Sequence, residues 1–198
     1  MKKLAYRACR NPILIFLIAP LTMFVFKLRV PPPEAPLNAR MSTYWTDLGL
    51  IGIFYLAHIT IGLKAFLLVQ IPSMAVAGTA GVWLFYIQHQ FEGVYWERGE
   101  RWDFTRAALE GSSYYKLTRA LQWFTGNIGF HHIHHLNARI PNYLLEKCHK
   151  EVEACKKVKP VTLFKSLKAI SFHLWDEENR RLVGFKYLRQ FRMQRRLH

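Results

Sequence analysis

The segment His131-His132-Ile133-His134-His135 gathers four of the chain's nine histidines within five residues. The spacing i, i+3, i+4 sets His131, His134 and His135 on one face of a helix. Neutral imidazole is a common ligand for iron, zinc and copper, so one helical turn offers three nitrogens to a metal. His132 departs from that face by about 100°, which predicts a residue that faces or orients the ligands rather than one of them. His58, His149, His173 and His198 are scattered and supply no second cluster.

A second constellation, Gln88-His89-Gln90-Phe91-Glu92-Gly93-Val94-Tyr95-Trp96-Glu97, closes a long apolar run. His89 is the candidate fourth metal ligand. Glu92, three residues on, is expected to share its face and to orient an imidazole or accept its second N–H. There is no His-Glu-x-x-His zinc helix and no glycine-rich phosphate loop. No carboxylate lies within His131–His135, which argues against a bundle site built on Glu-x-x-His. An all-imidazole site instead suits iron chemistry with oxygen, and no catalytic side chain beyond the ligands is expected.

Apolar segments must position these residues. Pro12–Phe26 has about fifteen apolar-rich residues, short of the ~20 a spanning helix needs. With basic flanks on both sides, it reads as an interfacial or re-entrant helix. Leu48–Val69 runs for 22 residues and Ile71–Ile87 for 17, the latter with Pro72 in its first turn. They read as a transmembrane hairpin turning at Gln70, with His58 and Lys64 inside the first crossing. Residues 88–198 form a cytoplasmic cap. Within it, Glu146–Lys159 has a charged helical pattern. Leu182 to His198 reads as a basic amphipathic helix, with Leu182, Phe185, Leu188 and Phe191 on one stripe and Lys186, Arg189, Arg192 and Arg196 on another. The fold class expected is an all-α integral membrane protein.

Composition agrees. Half of the 198 residues are apolar (51%), and 28 Lys+Arg against 13 Asp+Glu give a net charge of +15. The basic residues flank the apolar runs, the arrangement of the positive-inside rule, which puts both termini and the histidines on the cytoplasmic face. Without a zinc-finger, RNP or helix-turn-helix pattern, this charge gives no case for nucleic acid. Cys9, Cys148 and Cys155 are odd in number, fitting reduced thiols rather than a disulfide framework. No signal-peptide cleavage site follows the first apolar run.

His131-His132-Ile133-His134-His135-Leu136-Asn137-Ala138-Arg139-Ile140-Pro141-Asn142-Tyr143 resembles the third histidine box of membrane acyl-lipid fatty acid desaturases. Gln88 to Glu92 with Tyr95-Trp96 is similar to that family's segment before the box, and Tyr6-Arg7-Ala8-Cys9-Arg10-Asn11-Pro12 resembles the stretch after its second box. Among subfamilies the omega-6 (delta-12) group of bacterial or plastid type looks closest. The resemblance implies a non-haem di-iron centre held by His131, His134, His135 and His89. It also implies membrane lipid acyl chains as substrate and a ferredoxin-like or cytochrome b5-type electron donor, in a bacterial inner membrane or an organelle membrane. The first and second histidine boxes are absent, so the chain is expected to be the carboxy-terminal portion of such an enzyme and incomplete alone. A related di-iron hydroxylase, ketolase or epoxygenase, or a non-catalytic membrane remnant, stays open at this level.

Overall fold

The structure is a computed structural model that describes residues 2–194, so the predicted stripe residue Arg196 and His198 lie outside the described residues, as do the side chains of Phe191 and Arg192. The chain is mostly helical, 69%, and divides into two units, Met1–Trp83 and Leu84–His198.

In the first unit, helix α1 (Lys2–Cys9) ends before Asn11-Pro12, where proline disfavours helical backbone in the residue before it. A π-helical turn, Leu14–Ile18, runs into α2 (Ala19–Val25). Two long helices follow, α3 (Leu37–Thr60) and α4 (Leu63–His89). Here the structure corrects the expected hairpin boundaries. The break falls at Ile61-Gly62, where Gly62 takes φ +82°, and Gln70 and Pro72 lie inside α4. A left-handed residue ends a helix far more effectively than Gln70, an ordinary helix former. His58 and Lys64 therefore flank the break near helix ends rather than sitting mid-span.

Among the described residues only α4 is long and apolar enough to cross a membrane. Its 27 residues reach ~40 Å, more than the ~30 Å hydrocarbon core. Helix α3 is long enough at 24 residues, but Asn38, Arg40, Ser42 and Asp47 make its first half polar, and Asp47 pairs with Arg29 at 2.9 Å. Within this unit α4 meets the π-turn and α2 closely. The Thr79 hydroxyl donates to the Phe16 carbonyl at 2.6 Å, and Phe16 packs edge-on against Trp83. At Gly78 an added Cβ would come within 2.9 Å of the Pro20 side chain.

The second unit begins with the last turns of α4. It continues through α5 (Phe104–Glu110), β1 (Tyr114–Lys116), α6 (Arg119–Phe124), α7 (His131–Leu136), α8 (Asn142–Glu151) and α9 (Glu153–Lys156). It closes with β2 (Pro160–Thr162), α10 (Leu163–Leu167), β3 (Leu174–Asp176), β4 (Arg181–Val183) and α11 (Phe185–Gln194). The strands correct the all-α expectation: β1 pairs with β2 in parallel, Tyr115 opposite Val161, and β3 pairs antiparallel with β4. Tyr-Tyr and Val-Thr are residues suited to short strands. The tail helix starts at Phe185, since Leu182 belongs to β4, and the charged segment after Glu146 breaks at Val152. The core of this unit is Phe130, Ile133, Leu145 and Cys155, with Leu109, Tyr114, Leu136, Ile140 and Cys148 packed around it.

Candidate metal centre

Helix α7 is one short turn, and its position is fixed by what precedes it. Gly126 and Asn127 both take φ +59°, conformations that Gly and Asn tolerate best. The Asn127 side-chain amide donates to the Asn142 carbonyl at 3.1 Å, tying this turn to the start of α8. Gly129 then passes so close to strand β1 that a Cβ there would strike the Tyr115 carbonyl and the Gln122 side chain. Phe130 and Ile133, 4% and 0% exposed, plug the turn into the core. His89 arrives from the other direction, at the last residue of α4. Its neighbour Gln88 is buried and anchors that end, accepting from Ser113 N–H at 3.0 Å and donating to the Ile128 carbonyl at 3.2 Å. Gln90 and Tyr86 donate to the Phe172 carbonyl at 2.9 and 3.1 Å.

The result is a group of three imidazoles. His131 Nε2 lies 3.2 Å from His89 Nε2 and 3.0 Å from His135 Nε2, and the potential ligand atoms of all three fall within 4.8 Å of one another. His131 is buried, His89 half-buried and His135 exposed. Hydrogen bonding alone satisfies this arrangement poorly. If His131 Nε2 accepts from both neighbours, its Nδ1 carries the proton, yet Nδ1 is buried without a partner among the described residues. If Nε2 carries the proton, it serves only one of the two contacts. A cation bound among the rings would take up all three lone pairs. The two nitrogen contacts of His131, at 3.2 and 3.0 Å, are of the order expected for imidazoles that share one metal at about 2.1 Å from each nitrogen.

Electrostatics favour the neutral, ligating form. Burial, with the neighbouring His135 and His89, pushes the His131 pKa down to about 3. Burial, then His134, also lowers that of His135.

The fatty acid desaturase family profile matches residues 4–164. The chain belongs to the fatty acid desaturase family. A fatty acid desaturase of Bacillus subtilis (strain 168) is 44% identical over 187 residues, covering 94% of this chain and 53% of that protein. The chain thus spans about half the length of the curated relative it matches.

Of the predicted residues, this desaturase-family chain brings His89, His131 and His135 together. His134 is exposed on the same turn, its ring 5.6 Å from that of His131 and outside the mutual group. His132 points into the protein, fully buried, with Nε2 at 3.2 Å from His149 Nδ1. Glu92 requires a correction. Helix α4 ends at His89 and Gly93 turns the chain with φ +82°, so Glu92 shares no helical face with His89 and pairs instead with Lys168 at 2.8 Å. His149 and Tyr114 were not legible beforehand. Tyr114 stacks on Phe130 at 5.1 Å and lies 4.4 Å from the His149 ring, giving His132 an aromatic and imidazole pocket. His149 lies 17 positions after His132 with Pro141 between them, so no local spacing announces that pair.

Proposed function

We propose that this chain takes part in oxygen-dependent desaturation of membrane lipid acyl chains, with His89, His131 and His135 holding one iron and His134 available to a second. The observation that supports it best is the pair of Nε2 contacts at 3.0 and 3.2 Å, found in a chain of the fatty acid desaturase family. When bound, the iron centre supplies the oxidising chemistry: a –CH2–CH2– unit, dioxygen, two electrons and two protons become –CH=CH– and two waters. The chain's own residues hold the imidazoles in place. The Gly126-Asn127 turn and the close pass of Gly129 set α7, and Gln88 sets the end of α4. Burial keeps His131 unprotonated, so its lone pair is ready for a metal at neutral pH.

The domain reading follows the same proposal. Residues 12–26 lie at the membrane interface, α3 and α4 form the transmembrane hairpin of residues 48–87 with its turn at Gly62, and residues from 88 onward form a cap on the cytoplasmic face, where a ferredoxin-like or cytochrome b5-type donor delivers electrons. The excess of Lys and Arg around the apolar helices supports that orientation.

A chimera tests the function. The amino-terminal part of the Bacillus subtilis relative, joined to residues 4–198 of this chain, is expressed in a host lacking desaturase activity, and membrane fatty acids are analysed. Unsaturated chains are expected from the chimera and not from its His131→Ala variant. A well-inserted, iron-loaded chimera that yields only saturated chains would refute the proposal.

A further inference from the structure

A groove of about 1090 Å³ lies in the second unit, and none of its lining residues belongs to the histidine group. Its apolar lining includes Phe91, Leu109 and Val161, and Lys157, Lys159 and Lys165 also line it. Three carboxylates border it as well, but each has a cation of its own. Glu92 pairs with Lys168 at 2.8 Å, Glu110 with Arg106 at 3.0 Å and Glu153 with Lys156 at 3.2 Å. Among the described residues, no ion pair involves Lys157, Lys159 or Lys165, and all three are exposed. The groove therefore carries three uncompensated positive charges beside an apolar surface.

We propose that this groove binds a phosphate-bearing group attached to an apolar stem. Lysine ammoniums are compact, freely rotating donors that gather around the several oxygens of a phosphate, whereas planar carboxylates are matched best by the fixed fork of arginine, and no arginine lines this groove. The volume exceeds what an inorganic anion fills, and Phe91, Leu109 and Val161 offer contact to a hydrocarbon portion. Such chemistry has two sources, the headgroup of an anionic phospholipid and a soluble phosphate ester. The groove also approaches the histidines through the chain itself. Glu110 and Ser112 line it, and the backbone of Gly111, between them, faces the His89 ring. A ligand seated here is held one residue from the wall of the histidine site.

The test uses the full chain in neutral detergent and direct binding by calorimetry, with no iron or electron donor, so failure of desaturation leaves it untouched. The probes are short-chain phosphatidylglycerol, the soluble ester hexyl phosphate and inorganic phosphate, with zwitterionic short-chain phosphatidylcholine for comparison. The triple variant Lys157→Gln, Lys159→Gln, Lys165→Gln is expected to weaken the anionic probes about tenfold or more, and Lys→Arg at the same positions to restore most of the affinity. The net charge of +15 makes general attraction the rival. It is measured by removing Lys147, Lys150 and Lys186, which lie outside the groove lining. Loss with phosphatidylglycerol alone assigns the lipid headgroup, and loss with hexyl phosphate assigns the soluble ester. Equal loss in the control triple, or no binding of any anionic probe, overturns the proposal.

Discussion

At the scale of single residues, the histidine spacing carried much of the site and left part of it hidden. His131 and His135 are neighbours because i and i+4 share a helical face, and His89 joins them because a long apolar helix ends there. His134 shares the spacing yet stays outside the group, since a turn of six residues presents only part of its surface to His89. Glu92 was misplaced because i, i+3 reasoning holds only while the helix lasts. The buried imidazoles also carry a pH dependence. Burial lowers His132, beside His149, to about 4 and His131 to about 3, whereas in the unfolded chain both titrate near 6.5. Between about pH 6.5 and 4 the unfolded state takes up protons that the folded state refuses. Stability is therefore present above pH 6.5 and falls with pH, by roughly 1.4 kcal/mol per pH unit for each group. Denaturant midpoints of the metal-free chain are expected to drop from pH 7.5 to pH 5. Equal midpoints would contradict neutral buried imidazoles.

At the scale of elements, hydropathy located the end of α4 but not its start. The continuous apolar run from Leu48 to Ile87 hides a break that one glycine with φ +82° decides, and Gln70 gives no comparable signal. The parallel pairing of β1 with β2 was illegible, because it joins three-residue strands 46 positions apart, Tyr114 opposite Pro160. The close pass at Gly129 likewise depends on β1 lying alongside. Gly129→Ala forces a methyl group toward the Tyr115 carbonyl. Overpacking of this kind costs about 1–3 kcal/mol, and the displaced Phe130-His131 should reduce metal affinity without any ligand being removed. A variant that melts and binds metal like the parent would show the turn to be slack. For α4, reporter fusions after Gly62 and after Gln90 should report opposite sides of the membrane, with Gln90 cytoplasmic. The same side for both would exclude a crossing by α4.

At the scale of the whole molecule, the sequence conveyed the class, a basic, mostly helical, apolar-rich chain of the fatty acid desaturase family, from composition and motif together. Distances were beyond it. Four histidines in five residues do not tell which three rings can share one cation, and the answer depends on Gln88, Gly129 and the core under Ile133. Among the described residues the structure gathers one group of three candidate ligands. Anaerobic titration of residues 1–198 with ferrous iron in detergent, followed by metal analysis, tests that grouping most directly. About one equivalent should bind tightly, be lost in His89→Ala, His131→Ala and His135→Ala, and persist in His132→Phe. Iron retained in full by His131→Ala, or lost to the same extent in His132→Phe, would contradict the shared site.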